Sequence, residues 1–250
     1  MDPHQMYIDN QYIIYDAERL QRPDTSLFDP LVLQRRGVWL GAPAGGRGSA
    51  GYIILGGVPA VLRRYRRGGM FAPLLGDRYL WLGLAKTRPW REWNILARLH
   101  SQGMPVPAPI AARVQRRGVF YRADIVVERI DAVTLAERLS AEALAPDYWY
   151  EIGHAVGRLH LEGVDHADLN AHNVLINKGD ALRVRIIDFD RARLRSPGRR
   201  WQLRNLARLQ RSLLKLARQD PEFKAPDQKA LAELQRGWSE ALHDSQQVAK

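Results

Sequence analysis

No cysteine occurs among the 250 residues, which rules out a disulfide framework, a thiolate metal site and a thiol nucleophile. Long apolar runs are missing too. The longest uncharged apolar stretch, Gly51 to Leu62, is broken by Gly56, Gly57 and Pro59 and falls short of the roughly twenty residues that span a bilayer. Asp, Glu and Pro in the opening segment, without an apolar core, argue against a signal peptide, so a cytoplasmic protein is expected. Acids are also in short supply. The 27 Asp and Glu stand against 38 Lys and Arg, leaving a net charge of +11 that favours anionic partners. There is no internal repeat and no low-complexity segment, and the length suits one compact unit with a substantial core.

What is present is more specific. His166-Ala167-Asp168-Leu169-Asn170-Ala171-His172-Asn173 is followed, after a strand pattern, by Ile186-Ile187-Asp188-Phe189-Asp190. These segments spell H-x-D-L-x-x-x-N and D-F, the catalytic loop and metal-binding signature of kinases. The spacing has a chemical reason. ATP needs a divalent metal across its phosphates, and the acceptor hydroxyl needs a carboxylate to orient it and take its proton. Leu175 and Ile176, then Val184, Ile186 and Ile187, read as two strands joined by the turn Asn177-Lys178-Gly179-Asp180, a hairpin that returns Asp188 beside Asn173. The bland alternative, Asp168 capping a helix and Asp188 ending a strand, explains either residue alone. It does not explain the pair.

Upstream, Gly46-Arg47-Gly48-Ser49-Ala50-Gly51 fits G-x-G-x-x-G, a short pattern that dinucleotide-binding folds share. Context separates the two uses. Tyr52 to Leu55 continues as a strand, Gly56-Gly57 turns it and Val58 to Tyr65 returns, so a hairpin lid over phosphates is expected, with Gly46, Gly48 and Gly51 letting backbone N–H groups approach. An ordinary turn is the competing reading. On the returning strand Ala60-Val61-Leu62-Arg63 takes the place of V-A-I-K, putting Arg63 where a lysine contacts the α- and β-phosphates. Arg64 is a competitor that points to the opposite face, since strand side chains alternate. A helix from Thr87 to Gln102, capped by Thr87 and stopped by Gly103 and Pro105, carries Glu92 as the proposed partner of Arg63.

Punctuation divides the chain into residues 1–127, mostly strands with that single helix, and residues 128–250, mostly helical. Thr134 with Glu137 forms a capping box, Asp147 is placed as a helix cap, and late helices are expected from about Trp201 to Arg218 and Asp227 to Leu242. The predicted fold class is α+β, a protein-kinase-like two-lobed fold with a small, mostly antiparallel N-lobe and a mainly α-helical C-lobe. Beyond Phe189 there is no long activation segment and no A-P-E, which favours a small acceptor over a polypeptide. Ala167 replaces the usual Arg before the catalytic Asp, and Asp190 stands in place of Gly, either as a third carboxylate near the metal or as a partner for Arg191 or Arg193. His166 reads as a structural hydrogen-bonding residue. Arg200, Arg204, Arg208 and Arg211 recur at helical spacing, offset from Leu203, Leu206, Leu213 and Leu216, a face suited to an anionic membrane surface; a solvated face whose leucines join the core is the alternative.

Taken together, Gly46-Arg-Gly-Ser49, Leu62 to Gly69, Lys86-Thr-Arg88, Val106 to Arg113, His166 to Asn170 and Ile186 to Asp190 resemble the 3-deoxy-D-manno-octulosonic acid (Kdo) kinases of the lipopolysaccharide core kinase family, over most of the chain. The resemblance implies ATP-dependent phosphorylation of the 4-hydroxyl of a Kdo residue on a lipid A precursor, with Mg²⁺, at the cytoplasmic face of a bacterial inner membrane. Carried over by position, it puts the catalytic acid at Asp168 and metal ligands at Asn173 and Asp188, and it accommodates Arg63. The expected partners are therefore an anionic Kdo-lipid and the membrane surface; nucleic acid is disfavoured and no obligate protein partner is indicated. The rivals are a small-molecule kinase of the aminoglycoside or choline type, and a basic nucleotide-binding pseudokinase or nucleic-acid scaffold.

Overall fold

The computed structural model describes residues 1–42, 50–66, 76–177 and 182–248, with the backbone alone for 244–248. It divides into two compact units, Met1–Ser101 with Pro107–Ile130, and Gln102–Val106 with Asp131–Lys250. The boundary thus lies beyond the one expected at 127/128. Glu128 is still a strand residue paired with Ala60, and the segment 102–106 belongs to the second unit, where the Ile186 N–H donates to the Pro105 carbonyl at 2.8 Å.

The first unit holds strands β1 (Pro3–Ile8), β2 (Gln11–Asp16), β3 (Trp39–Gly41), β4 (Ala50–Leu55), β5 (Val58–Arg64), β6 (Tyr79–Leu80), β7 (Pro109–Arg117) and β8 (Phe120–Glu128). They form one antiparallel sheet in the order β1-β2-β7-β8-β5-β4-β3, with β6 paired to β8. Tight turns set the hairpin registers. Gly56 and Gly57 join β4 to β5 at φ of 54° and 84°, and Asp9-Asn10 join β1 to β2 at 49° and 59°, the positive values that two-residue hairpin turns demand. Helix α2 (Arg88–Ser101) buries Trp90, Trp93, Leu96 and Leu99 and packs on β7 and β8.

This unit holds more than the one helix expected. A 3-10 turn at Thr25–Phe28 leads into a second, short helix, α1 (Pro30–Arg35), capped by Asp29, whose carboxylate accepts from the Leu31 N–H at 2.9 Å. Phe28 and Leu33 from this segment join Ile13, Ile53, Leu62 and Val126 in one buried cluster. Thr87 stands just before helix α2, where its carbonyl accepts from the Arg91 N–H at 3.2 Å, while its hydroxyl donates backwards to the Leu84 carbonyl at 2.6 Å.

The second unit runs β9 (Ala132–Thr134), α3 (Leu135–Ala141), α4 (Pro146–Leu161), β10 (Val164–Asp165), β11 (Val174–Asn177), β12 (Val184–Ile186), β13 (Arg193–Leu194), α5 (Arg199–Gln219) and α6 (Gln228–Val248). The Thr134–Glu137 capping box is formed, with its reciprocal bonds at 3.1 and 2.8 Å. Asp147 is not a cap. Pro146 occupies the first turn of α4 after Ala145, leaving Asp147 as a first-turn acid favourable to the helix dipole. Helices α4 and α6 approach closely because Gly153 and Gly237 carry no side chain: a Cβ on either would strike the facing backbone, at the Leu234 and Tyr150 carbonyls respectively. Trp149, Ile152, Val156, Leu234 and Trp238 are buried in this unit. Among the described residues no helix is long and apolar enough to cross a membrane.

Candidate active site

In the first unit, strand alternation puts Arg63 and Tyr65 on one side of β5 and its continuation, facing α2. The Arg63 guanidinium donates to one carboxylate oxygen of Glu92 and the Tyr65 hydroxyl donates to the other. Arg63 also lies over the Tyr65 ring, 5.3 Å from its centroid. Glu92 is 2% exposed while the Arg63 side chain keeps 24% of its surface, so the acid is fully enclosed and the cation retains an open side. Burying a carboxylate costs several kcal/mol unless it is paired and hydrogen-bonded, and here both oxygens are engaged. Arg64 belongs to a separate network on the opposite side, where its Nε donates to buried Asp124 at 3.0 Å and Asp124 also accepts from Arg113 at 2.6 Å. Tyr65 carries no motif signature; only its i+2 relation to Arg63 could have pointed to it.

Of the glycines expected to cradle phosphate, Gly46 and Gly48 lie outside the described residues. Gly51 lies inside β4, opposite Leu62, and a Cβ there would run into the Trp39 indole. Its missing side chain makes room for an aromatic ring, a packing reason rather than an approach to phosphate.

In the second unit, the segment from His166 to Asn173 connects β10 to β11 and is pinned almost entirely through backbone groups. The Asp168 carbonyl accepts from the Asn170 and Asn173 side-chain amides at 2.8 and 2.9 Å, while the Asn173 N–H donates to the Asn170 carbonyl at 3.0 Å. The expected hairpin forms, with Val174 opposite Ile186, although its turn, 178–181, lies outside the described residues. One step beyond that register the Ile187 N–H donates to the Asn173 carbonyl at 3.0 Å, which places Asp188 next along the chain from a direct bond to Asn173.

Three details bear on chemistry. Among the described residues, the Asp168 carboxylate has no hydrogen-bond or ion-pair partner, although its main chain is held twice. Asn173 commits its nitrogen to the Asp168 carbonyl, which leaves its Oδ1 as the oxygen it presents. Asp188 has φ of 64°, a left-handed conformation that costs a non-glycine residue of order 1 kcal/mol and collects at functional sites.

His166 is the brace. Its Nε2 lies 3.0 Å from the Ile187 carbonyl, so that nitrogen carries the proton and donates, and Nδ1 is buried without a partner among the described residues. Its ring meets Phe189 edge to face at 5.0 Å. Burial pushes its pKa down, so it holds the Ile187-Asp188-Phe189 turn as a neutral ring rather than serving as a base.

Behind the loop lies a polar hub that the motifs do not announce. Asn205 on α5 accepts from the His166 N–H at 2.8 Å and donates to Asp165 at 2.9 Å and to the Trp201 carbonyl at 3.2 Å. The Trp238 indole N–H donates to His160 Nδ1 at 2.8 Å, which puts the remaining imidazole proton on Nε2, 3.4 Å from Asn205. Burial lowers the His160 pKa to about 4. Ser212, further along α5, accepts from the Ala171 N–H at 3.1 Å. Helix α5 therefore anchors both ends of the loop.

The residues fit a hard divalent cation shared with nucleotide phosphates. Among the described residues no cluster of three His, Cys, Asp or Glu could cage a metal, and Mg²⁺ takes few protein ligands, one or two carboxylates plus phosphate oxygens and water. Asp188 with the Asn173 amide oxygen matches that donor set.

An antiparallel sheet with a long Glu-bearing helix and a helical unit holding an H-x-D-L-x-x-x-N loop beside a D-F turn define the kinase-like fold. Solved kinases share it. The structure described as WaaP in complex with acyl carrier protein aligns over 92% of this chain and 93% of that one at a TM-score of 0.56 and 18% identity. Amicoumacin kinase hAmiN, in complex with AMP-PNP, Ca²⁺ and Ami, aligns over 85% and 78% at 0.57 and 10%. The chain belongs to the lipopolysaccharide kinase (Kdo/WaaP) family, whose model matches residues 32–235. Among its relatives, 3-deoxy-D-manno-octulosonic acid kinase of Xylella fastidiosa (strain 9a5c) is 44% identical over 209 residues, covering 82% of this chain and 80% of the relative. The enzyme of the same name from Xanthomonas euvesicatoria pv. vesicatoria is 44% identical over 205 residues with the same coverage.

Proposed function

We propose that the chain transfers the γ-phosphoryl group of ATP to the 4-hydroxyl of a Kdo residue on a lipid A precursor. The observation that carries the chemistry is the Asp168 carboxylate, unpartnered among the described residues and set on a loop whose backbone is fixed by two asparagine amides. Such a group is available to accept a hydrogen bond from the acceptor hydroxyl, orient it and take its proton, help worth about 10² to 10⁴ in rate. Asn173 through Oδ1 and Asp188 would hold Mg²⁺, which would neutralise charge on the phosphates of ATP. Arg63, aimed by Glu92 and Tyr65, donates to phosphate oxygens with its open side. His166 keeps Asp188 in its left-handed turn without exchanging protons.

The choice of acceptor rests on the named relatives and on the excess of cations, which suits an anionic sugar-lipid. The test is incubation of purified protein with labelled ATP and Mg²⁺ against Kdo-lipid, soluble aminoglycoside, choline and protein acceptors. Label in Kdo-lipid alone supports the reading; label in a soluble acceptor and none in Kdo-lipid overturns it. A protein partner is also to be tested. The fold neighbour solved with an acyl carrier protein runs against the expectation that no partner is needed, and retention of acyl carrier protein on the immobilised chain would establish one.

A further inference from the structure

Between Asp190 and Asp220 the chain contains no acid and ten cations, nine Arg and one Lys. Most of that stretch is α5, whose two faces do different things. Trp201, Asn205, Leu206, Leu209 and Leu213 are buried, and they include the Asn205 anchor of the catalytic loop. The opposite face carries Arg200, Arg204, Arg208, Arg211, Lys215 and Arg218, all exposed. None of these six makes a side-chain hydrogen bond or ion pair with the described residues.

The exposed face is not purely ionic. Leu203 is 41% exposed and Leu214 is 55% exposed, although alternation with the arginines would have put Leu203 in the core. At 3.6 residues per turn, these two leucines and the six cations fall within an arc of about 140°, the leucines together at one flank. An ordinary solvated helix face pairs its cations with acids three or four positions away. This one has no such acids, and it leaves leucine in water.

We propose that this face of α5 docks on an anionic phospholipid bilayer, its cations on the headgroup phosphates and Leu203 and Leu214 in the acyl boundary. The same helix holds the catalytic loop at His166 through Asn205 and at Ala171 through Ser212, so docking fixes the height of Asp168 above the lipid surface. Duplex nucleic acid would satisfy the cations and leave both leucines exposed, which makes a bilayer the better match. The proposal rests on this surface and not on the identity of the phosphate acceptor.

The experiment is sedimentation of the full chain, without ATP, with vesicles of phosphatidylcholine plus phosphatidylglycerol and with vesicles of phosphatidylcholine alone. Wild type should favour the anionic vesicles, increasingly so at low salt. At about a tenfold loss for each 1.4 kcal/mol and about 1 kcal/mol per basic side chain, the R204Q/R208Q/R211Q variant should partition about 100-fold less. The L203S/L214S variant should lose about tenfold in a way that salt does not alter. Circular dichroism should be the same for all three proteins. Equal recovery on both vesicle types, or wild-type recovery of the arginine variant on anionic vesicles, overturns the proposal. So does retention of duplex DNA or an acidic protein by these arginines with no preference among vesicles. Because the assay contains no nucleotide or sugar, its failure leaves the kinase reading untouched, and failure of the acceptor panel leaves this proposal standing.

Discussion

The Arg63–Glu92 cluster and the 166–190 segment handle charge in opposite ways. In the first unit the acid is enclosed and both its oxygens are engaged, by a guanidinium and a tyrosine hydroxyl. In the second the backbone of Asp168 is held while its carboxylate has no partner among the described residues. A paired, buried acid supports structure, so losing its partners should cost stability. An unpaired carboxylate on a pinned loop is arranged for chemistry, and losing it should cost rate.

The sharpest separation comes from breaking the first cluster. Glu92→Ala removes the Arg63–Glu92 ion pair and the Tyr65–Glu92 hydrogen bond together, and truncating one member of a buried pair costs about 3 to 5 kcal/mol; urea denaturation should read a loss of that size. A loss under about 1 kcal/mol, the range of an exposed pair, would erase the contrast.

The second unit has its own buried ionisable group devoted to structure, His160. Its folded pKa, about 4, lies below the ordinary value of 6.5. Between those values the unfolded chain binds a proton that the folded chain refuses, so stability is level above about 6.5 and falls as pH drops from there to about 4. The full span amounts to about 3 kcal/mol. Denaturation midpoints across that window should show the slope in wild type, and His160→Gln should flatten it. His166, also lowered by burial, acts in the same direction.

A smaller effect tests the role of Gly51. If its missing side chain serves the Trp39 ring, Gly51→Ala should cost about 1 to 3 kcal/mol through overpacking. Unchanged thermal stability with a raised KM for ATP would instead return this glycine to phosphate binding.

Much of this arrangement is legible in the sequence, for identifiable reasons. Asp168, Asn173 and Asp188 announce themselves because the hairpin register, Val174 opposite Ile186, follows from alternating apolar residues. The approach of Glu92 to Arg63 follows from strand and helix periodicity. Asn205, His160 and Trp238 were not legible, because a buried polar hub assembled from three helices leaves no local pattern. Helix α1 is hard to read despite its Asp29-Pro30 start, since one turn and a half carries too little periodicity to stand out. The exposure of Leu203 was hidden for a related reason: the amphipathic pattern shows that two faces exist, and packing decides where their border falls.

Asp168 serves the acceptor hydroxyl and leaves the fold to other groups. The direct measurement is turnover of Asp168→Asn on Kdo-lipid with saturating ATP and Mg²⁺, beside its thermal unfolding. Turnover should fall by at least about 10² with an unchanged melting temperature; near-full turnover in a folded variant would mean that Asp168 does not serve the acceptor.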